Sequence, residues 1–294
     1  MIELRQVTKH AGGREPVRPG AQGERNARAS GRKILDAVDL TIAPGEVVLL
    51  AGPSGSGKSK LLGLCYGACL PDAGTVAVFG RELSRLRRSS LVRLRRWLGV
   101  VPQTPPLLDD YSVLANVALA LEIRGEPRQT MRQRAHASLD RVGLADRAAT
   151  ITAALSAVER QWVAIARALV TEPSVLIADE PSAHFDPDSR DRLIEIIAME
   201  QGRGMAAILA TNDHMLLCAG AHHGWRHIEL RQGALEVIAE RTAHVYSSEA
   251  TEVDIDEYES IELVAVGDLD ARTDDVVPNV VPFPRSASIG GASR

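Results

Sequence analysis

The residues best suited to do chemistry form the run Gly52-Pro53-Ser54-Gly55-Ser56-Gly57-Lys58-Ser59, with Lys60 directly after it. Its glycines let the backbone fold so tightly that successive N–H groups converge on one point, an arrangement suited to an anion with several oxygens. The run follows the apolar stretch 47–51 and precedes a helical pattern. The loop therefore opens onto a helix N-terminus, whose partial positive charge favours phosphate. In that setting Lys58 reaches the β- and γ-phosphates of a nucleotide, and the Ser59 hydroxyl ligates Mg2+. A bare glycine turn with a chance Lys-Ser pair is the competing reading, and the strand–loop–helix context speaks against it.

A second centre supports the first. Val175-Leu176-Ile177-Ala178-Asp179-Glu180-Pro181 is an apolar strand ending in two carboxylates. Asp179 at the strand end is placed to hold Mg2+ through water, and Glu180 to polarise an attacking water. Adjacent acids at a strand end also occur as a solvated edge, but here a phosphate loop lies upstream.

The elements that must carry these residues alternate. Period-2 or continuous apolar runs predict strands over 1–9, 34–40, 46–51, 75–79, 98–101, 174–178, 206–210 and 225–230. Period-3.6 patterns predict helices over 58–69, 113–123, 128–142, 157–170, 189–201 and 214–219. Strand–helix alternation is the signature of a layered α/β domain. Residues 104–165 read as helix after helix, which predicts a helical subdomain inserted into the sheet. Residues 11–33, rich in Gly, Arg and Pro without periodicity, read as an exposed insertion, so the domain spans 1–240.

Composition excludes several classes. Of the 294 residues 45% are apolar, enough for a large core, and the mean hydropathy is -0.05. Only 3% are aromatic and the net charge is -4, so neither a stacking platform nor an overall basic field recruits nucleic acid. Cys65, Cys69 and Cys218 form no CxxC pair and read as small core residues in a reducing compartment. The start, Met1-Ile2-Glu3-Leu4, has no signal-peptide shape, and no run of eighteen apolar residues spans a membrane. Residues 241–294 form a tail whose character changes after about residue 243: from there eleven acids, Glu249 to Asp275, face Arg272, Arg285 and Arg294, a net of about -8 that predicts a disordered tail.

Together these motifs resemble the ABC transporter-type ATPase subunits, over about four fifths of the chain. The resemblance implies a P-loop NTPase fold of the ABC ATPase kind, α/β, with a mixed sheet core and the helical subdomain. It implies ATP and Mg2+ as ligands and a head-to-tail dimer, with this chain or with another ATPase subunit. By the same resemblance Gln103 in Val100-Val101-Pro102-Gln103 falls at the Q-loop, sensing Mg2+ and touching a membrane partner. Leu155-Ser156-Ala157-Val158-Glu159 falls at the signature motif, Ser182-Ala183-His184-Phe185-Asp186 at the D-loop, and Ala210-Thr211-Asn212-Asp213 at the H-loop. Within the family, residues 75–83, 94–101 and 116–125 are similar to the FtsE-like cell-division ATPases. That similarity implies an integral membrane partner of the FtsX kind and a place at the inner face of the cell membrane. Lipoprotein-release and other export ATPases share much of this sequence, and a nucleotide-gated scaffold without hydrolysis is a third reading.

The chain departs from the family at four places. The usual Leu-Ser-Gly-Gly becomes Leu155-Ser156-Ala157-Val158. Ser156-x-x-Glu159 still forms a capping box, so a helix starts there and its positive end can face a γ-phosphate. Ala157 and β-branched Val158 add bulk where two glycines allow close approach. Asn212 stands where the family has a histidine, and an amide donates a hydrogen bond but does not titrate near neutral pH. His214 is two residues away and faces elsewhere on a helix. Lys60 replaces a frequent threonine beside the α-phosphate. Where relatives stack adenine on an aromatic ring, this chain has Thr8-Lys9-His10-Ala11. Slow or partner-dependent hydrolysis is the resulting expectation. Seven arginines between Arg81 and Arg96 read equally as a solvated face or as a surface near anionic lipid or a membrane partner, and the stretch after Gln103 as the docking groove.

Overall fold

A computed structural model describes residues 1–12 and 31–237. Most of the expected insertion (13–30) and the acidic tail (within 238–294) lie outside the described residues.

Two sheets organise the chain. The first is antiparallel, in the order β2-β1-β4-β5, from β1 (Ile2–His10), β2 (Lys33–Ile42), β4 (Ala73–Val78) and β5 (Arg81–Glu82). The second runs β10-β9-β3-β8-β7-β6, from β3 (Val47–Ala51), β6 (Leu98–Val101), β7 (Val175–Asp179), β8 (Ala206–Ala210), β9 (Arg226–Arg231) and β10 (Ala234–Val237). Its five inner-to-edge strands from β9 to β6 are parallel, and β10 closes the other edge antiparallel to β9. All five residues of β3 are buried, as a parallel strand covered on both faces requires. Alternate side chains divide between two cores: Val47 and Leu49 join the helical side, Val48 and Leu50 the side of the antiparallel sheet.

Helix α1 (Lys58–Cys65) lies in the second core through Leu61, Leu62, Leu64 and Cys65. Full burial of each leucine contributes about 1.5–3 kcal/mol, which offsets the absence of any side-chain cap at its start. It ends four residues before the sequence suggests. Gly67 takes φ 69, Ala68 N–H donates to Gly63 O (2.8 Å) and Gly67 N–H to Leu64 O (3.1 Å), a Schellman ending. Cys69 is therefore off the helix, and Cys65 is a core thiol whose pKa burial pushes up to about 12, with Cys69 adding to it.

The helical subdomain holds α3 (Val113–Arg124), α4 (Arg128–Arg141) and α5 (Ala157–Leu169), with two short 3-10 turns between α4 and α5. Leu121, Leu139 and Val163 interlock there without exposed surface. Helices α6 (Pro187–Gly202) and α7 (His214–His222) complete the first core. Helix α2 (Arg88–Arg95), unforeseen in the sequence, leads into β6. The hairpin ends of β1 and β2 meet where Ala11 N–H donates to Arg32 O (2.9 Å), and β2 begins already at Lys33.

Candidate functional site

Loop 52–59 leaves the end of β3 and enters α1. Its glycines are required by geometry: Gly52 sits at φ 140, where an added Cβ would lie 2.5 Å from Leu230 O, and Gly57 at φ 111, where one would meet Ile34 Cγ2 at 2.6 Å. Gly57 is the N-cap of α1, and the first turn carries neither a capping side chain nor an acid. The N–H groups there are left for an outside acceptor. Ser56 Oγ is buried in the loop without a hydrogen-bond partner among the described residues, and a buried hydroxyl of this kind calls for one. Open helix start, glycine cradle and orphan hydroxyl fit a phosphate chain. Ser59 and Lys60 are exposed at the start of α1, Pro53, Ser54 and Gly55 along the loop.

Lys58 is 7% exposed. Its Nζ donates to Gly52 O (2.5 Å) and Pro53 O (3.4 Å) and lies 3.9 Å from Glu180 Oε1. With the Asn212 amide turned so that both its ends are satisfied, its nitrogen donates to Gly52 O (2.5 Å) and its oxygen accepts from Lys58 Nζ (3.2 Å). The Asn212 backbone N–H donates to Glu180 Oε2 at 3.2 Å. Lys58, Glu180 and Asn212, distant in sequence, thus meet over the loop. Glu180 adopts φ 48, a left-handed conformation that costs a side-chain-bearing residue on the order of 1 kcal/mol or more. Its N–H donates to Ala210 O (2.8 Å), which holds that turn. Asp179, half-buried, ends β7 beside it, paired in register with Ala210.

Gln103 is exposed just past β6, on the loop that leads to the helical subdomain. That loop is fixed by Asn116, fully buried in α3, a role the sequence does not announce. Its Oδ1 accepts from Leu108 N–H (2.8 Å), and its Nδ2 donates to Leu108 O (2.9 Å) and Thr152 Oγ1 (2.9 Å). Beyond it Leu108, Tyr111 and Ile151 stay exposed, and Ile151 bridges to Ser112.

Ser156 and Ala157 are exposed at the start of α5, and Val158 packs partly onto the core. The capping box is present: Ser156 Oγ accepts from Glu159 N–H (3.2 Å) and Glu159 Oε2 from Ser156 N–H (2.8 Å). That backbone bond, with Arg147 alongside, holds the Glu159 carboxyl below its ordinary value. One anionic group therefore already sits on the positive end of α5.

Two connections were invisible in the sequence. Asp213 caps α7 and accepts from Ser182 Oγ (2.8 Å) and Arg190 Nε (2.6 Å). Burial acts to raise the Asp213 pKa, but the Arg190 and Ser182 hydrogen bonds outweigh it and the net direction is down. Phe185 stacks on Trp162 of α5, centroids 4.6 Å apart. Segment 182–186 is thereby tied to the residue after Asn212 and to the helix of Ser156. A cavity of about 630 Å³ adjoins the loop, lined by Gly52, Asn212, His227, Glu229 and Arg231 among others. Burial lowers the His227 pKa, and its Nε2 has no hydrogen-bond partner among the described residues. His214 begins α7 and turns to Cys218 Sγ (Nδ1 3.4 Å) rather than to the loop. His10, at the end of β1, is held by Asp72 (Nδ1 to Oδ2 3.3 Å), which also pairs with the buried Lys9.

A phosphate loop at a parallel-strand end, a second strand ending in Asp-Glu and an inserted helical unit define the class. The ABC transporter family model matches residues 35–183, and the chain belongs to that family of ATP-binding cassettes. It is 37% identical over 209 residues to the cell division ATP-binding protein FtsE of Escherichia coli, covering 71% of this chain and 93% of that protein. It is 40% identical over 206 residues to the lipoprotein-releasing system ATP-binding protein LolD 2 of Caulobacter vibrioides, covering 69% and 89% respectively. Among solved structures it superposes on the ATP-binding cassette MJ0796, a dimer in a post-hydrolysis state bound to ADP and Pi. The TM-score is 0.70 at 28% identity, over 83% of this chain and 99% of that one.

Proposed function

We propose that this chain is an FtsE-like subunit that binds Mg-ATP between two ATPase subunits and hydrolyses it slowly or only when a membrane partner of the FtsX kind is engaged. The carrying observation is the meeting of Lys58, Glu180 and Asn212 over an intact phosphate loop, with an amide where the family has a histidine.

The N–H groups of loop 52–59 bind the phosphates together with Ser56 Oγ and Lys58, except at Pro53, which has none, and at Ser56, whose N–H donates to Pro53 O (3.1 Å); Lys60 lies beside them. Ser59, Gln103 and Asp179 would hold Mg2+, which when bound draws charge from the phosphate oxygens. Glu180 accepts a hydrogen bond from the attacking water and orients it. Asn212 holds the lysine and the Glu180 carboxylate in place but has no proton to exchange near neutral pH. Ser156 presents the start of α5 to the nucleotide held by the other subunit. Loss of a titrating group at such a site costs on the order of 10²–10⁴ in rate. Leu108, Tyr111 and Ile151, beside the loop after Gln103, form the surface for the membrane partner, which places the chain at the inner face of the cell membrane. No described helix is long and apolar enough to cross a membrane, so on this reading attachment comes through that partner.

The likeness to LolD 2 supports a second reading, a lipoprotein-export ATPase. Co-purification separates the two: recovery with an FtsX-type membrane protein supports the first, recovery with a lipoprotein-release permease the second. The site itself is tested by Mg-ATP affinity and phosphate release measured together. Binding that Lys58→Ala abolishes, with slow release that Glu180→Gln removes, is expected. Binding indifferent to Lys58→Ala would sink the reading, and binding without any release would leave a nucleotide-gated scaffold.

A further inference from the structure

Helix α2 is an oddity that the nucleotide site does not explain. Its N-cap is Arg87 and its first residue Arg88, with no acid in the first turn and no side-chain cap. Positive charge at the positive end of a helix is unfavourable, and like charges three or four residues apart repel. Leu91 and Leu94 turn inward, and the remaining arginines divide into two groups. Arg95 is used internally, donating to Tyr66 O (2.9 Å) and Gly67 O (2.6 Å), and Arg85 pairs with Glu82 (2.7 Å). Arg87, Arg88, Arg93 and Arg96 are exposed and form no ion pair with any described residue. Four exposed arginines thus crowd one short segment, a concentration of positive charge that favours an anionic partner.

The same chain carries the complement. Between Glu249 and Asp275 stand eleven acids and the lone Arg272. We infer that this acidic segment docks on the arginine face formed by Arg87, Arg88, Arg93 and Arg96, within one chain.

Reach permits it. The described chain leaves from β10, at one edge of the six-stranded sheet, and α2 packs against β6 at the other. Five strand spacings of about 4.8 Å separate those edges, about 24 Å. The eleven residues from 238 to 248 span up to about 36 Å when extended. Tethering sets an effective concentration on the order of millimolar, so even a weak electrostatic contact is substantially populated. A carboxylate over the start of α2 offsets the charge placed unfavourably there. Charge balance favours the tail over a lipid surface as occupant: about -8 in residues 244–294 against about +4 in residues 1–243. The contact has a consequence for the site, because α2 leads through Trp97 and β6 to Gln103. A docked tail places its negative charge beside the loop that faces a membrane partner, and a partner with basic segments would compete the arginine face for it.

Energy transfer in the full-length protein tests this. With Cys69→Ser removing the half-buried thiol, dyes are attached at Ser84→Cys and Ser260→Cys. Efficient transfer is expected at low salt, independent of protein concentration, falling at least about twofold between about 0.05 and 0.5 M salt. The quadruple variant Arg87→Glu, Arg88→Glu, Arg93→Glu, Arg96→Glu should lose it. Combining that variant with Glu252→Lys, Asp254→Lys, Asp256→Lys, Glu257→Lys, Glu259→Lys and Glu262→Lys, which turns residues 252–262 from -6 to +6, should restore it and so controls for misfolding. Transfer unchanged by the quadruple variant, or transfer that rises with protein concentration, overturns the inference. So does arginine-dependent sedimentation with phosphatidylglycerol vesicles that neutralising the tail acids leaves unchanged, since the face would then be lipid-facing.

Discussion

Two helix N-termini in this molecule are built oppositely. α1 begins at Gly57 with no capping side chain, no acid in its first turn and an orphan hydroxyl, Ser56 Oγ, beside it. α5 begins with a closed capping box, Ser156 and Glu159 satisfying each other's backbone, and with an ionised carboxylate on its positive end. On the proposed function both face phosphate, the first that of its own nucleotide and the second that of the other subunit's. The first is left open for an anion at the expense of its own stability and depends on the leucines of α1 for anchorage. The second is stable by itself and needs nothing from a nucleotide. An anion site in a protein is therefore recognised less by the presence of a helix end than by what has been left unsatisfied there.

The contrast can be broken at either end. Removing Lys58 should have the largest effect on binding: Lys58→Ala forfeits a charge-assisted contact, and Mg-ATP affinity by calorimetry should fall on the order of 10²-fold. The corresponding loss at α5 should be small for binding to one subunit. Ser156→Ala should leave monomer affinity unchanged while lowering stability by about 1 kcal/mol, read as a drop of about 2–4 °C in Tm. Glu159→Gln retains a capping side chain but removes the charge. It should strengthen ATP-dependent dimerisation by about 2–5-fold in sedimentation, the size of a helix-end charge effect. The smallest effect is on the acid limb of stability. The folded Asp213 carboxyl lies below its ordinary value, so its contribution is present above the usual carboxylate range and is lost as pH falls through the folded value. The Tm gap between the parent and Asp213→Asn should therefore narrow as pH is lowered from about 6 to about 3.

Much of this was legible because it is local. A phosphate loop is eight consecutive residues between a strand and a helix, and the capping box is a four-residue pattern, so both are readable from letters alone. What escaped depends on residues far apart. Asn116 reads as one polar residue in an apolar helix until Leu108 and Thr152 arrive at its amide. Asp213 reads as a helix cap, and its pairing with Ser182 and Arg190 needs the folded chain. Helix α2 was missed because its core contacts are few and its arginines obscure the period. The overlong α1 was avoidable, since Gly67 marks the ending that Ala68 and Gly63 then complete.

On the proposed function the phosphate loop is competent, and turnover is limited by the opposing helix start together with Asn212. The most direct test is steady-state phosphate release by the triple variant Ala157→Gly, Val158→Gly, Asn212→His, with Glu180→Gln added as its control. A rise on the order of 10²-fold or more over the parent, abolished by Glu180→Gln, is the predicted result. Release no faster than the parent, with Mg-ATP binding intact, would contradict it and place the limit elsewhere in the chain or in its partner.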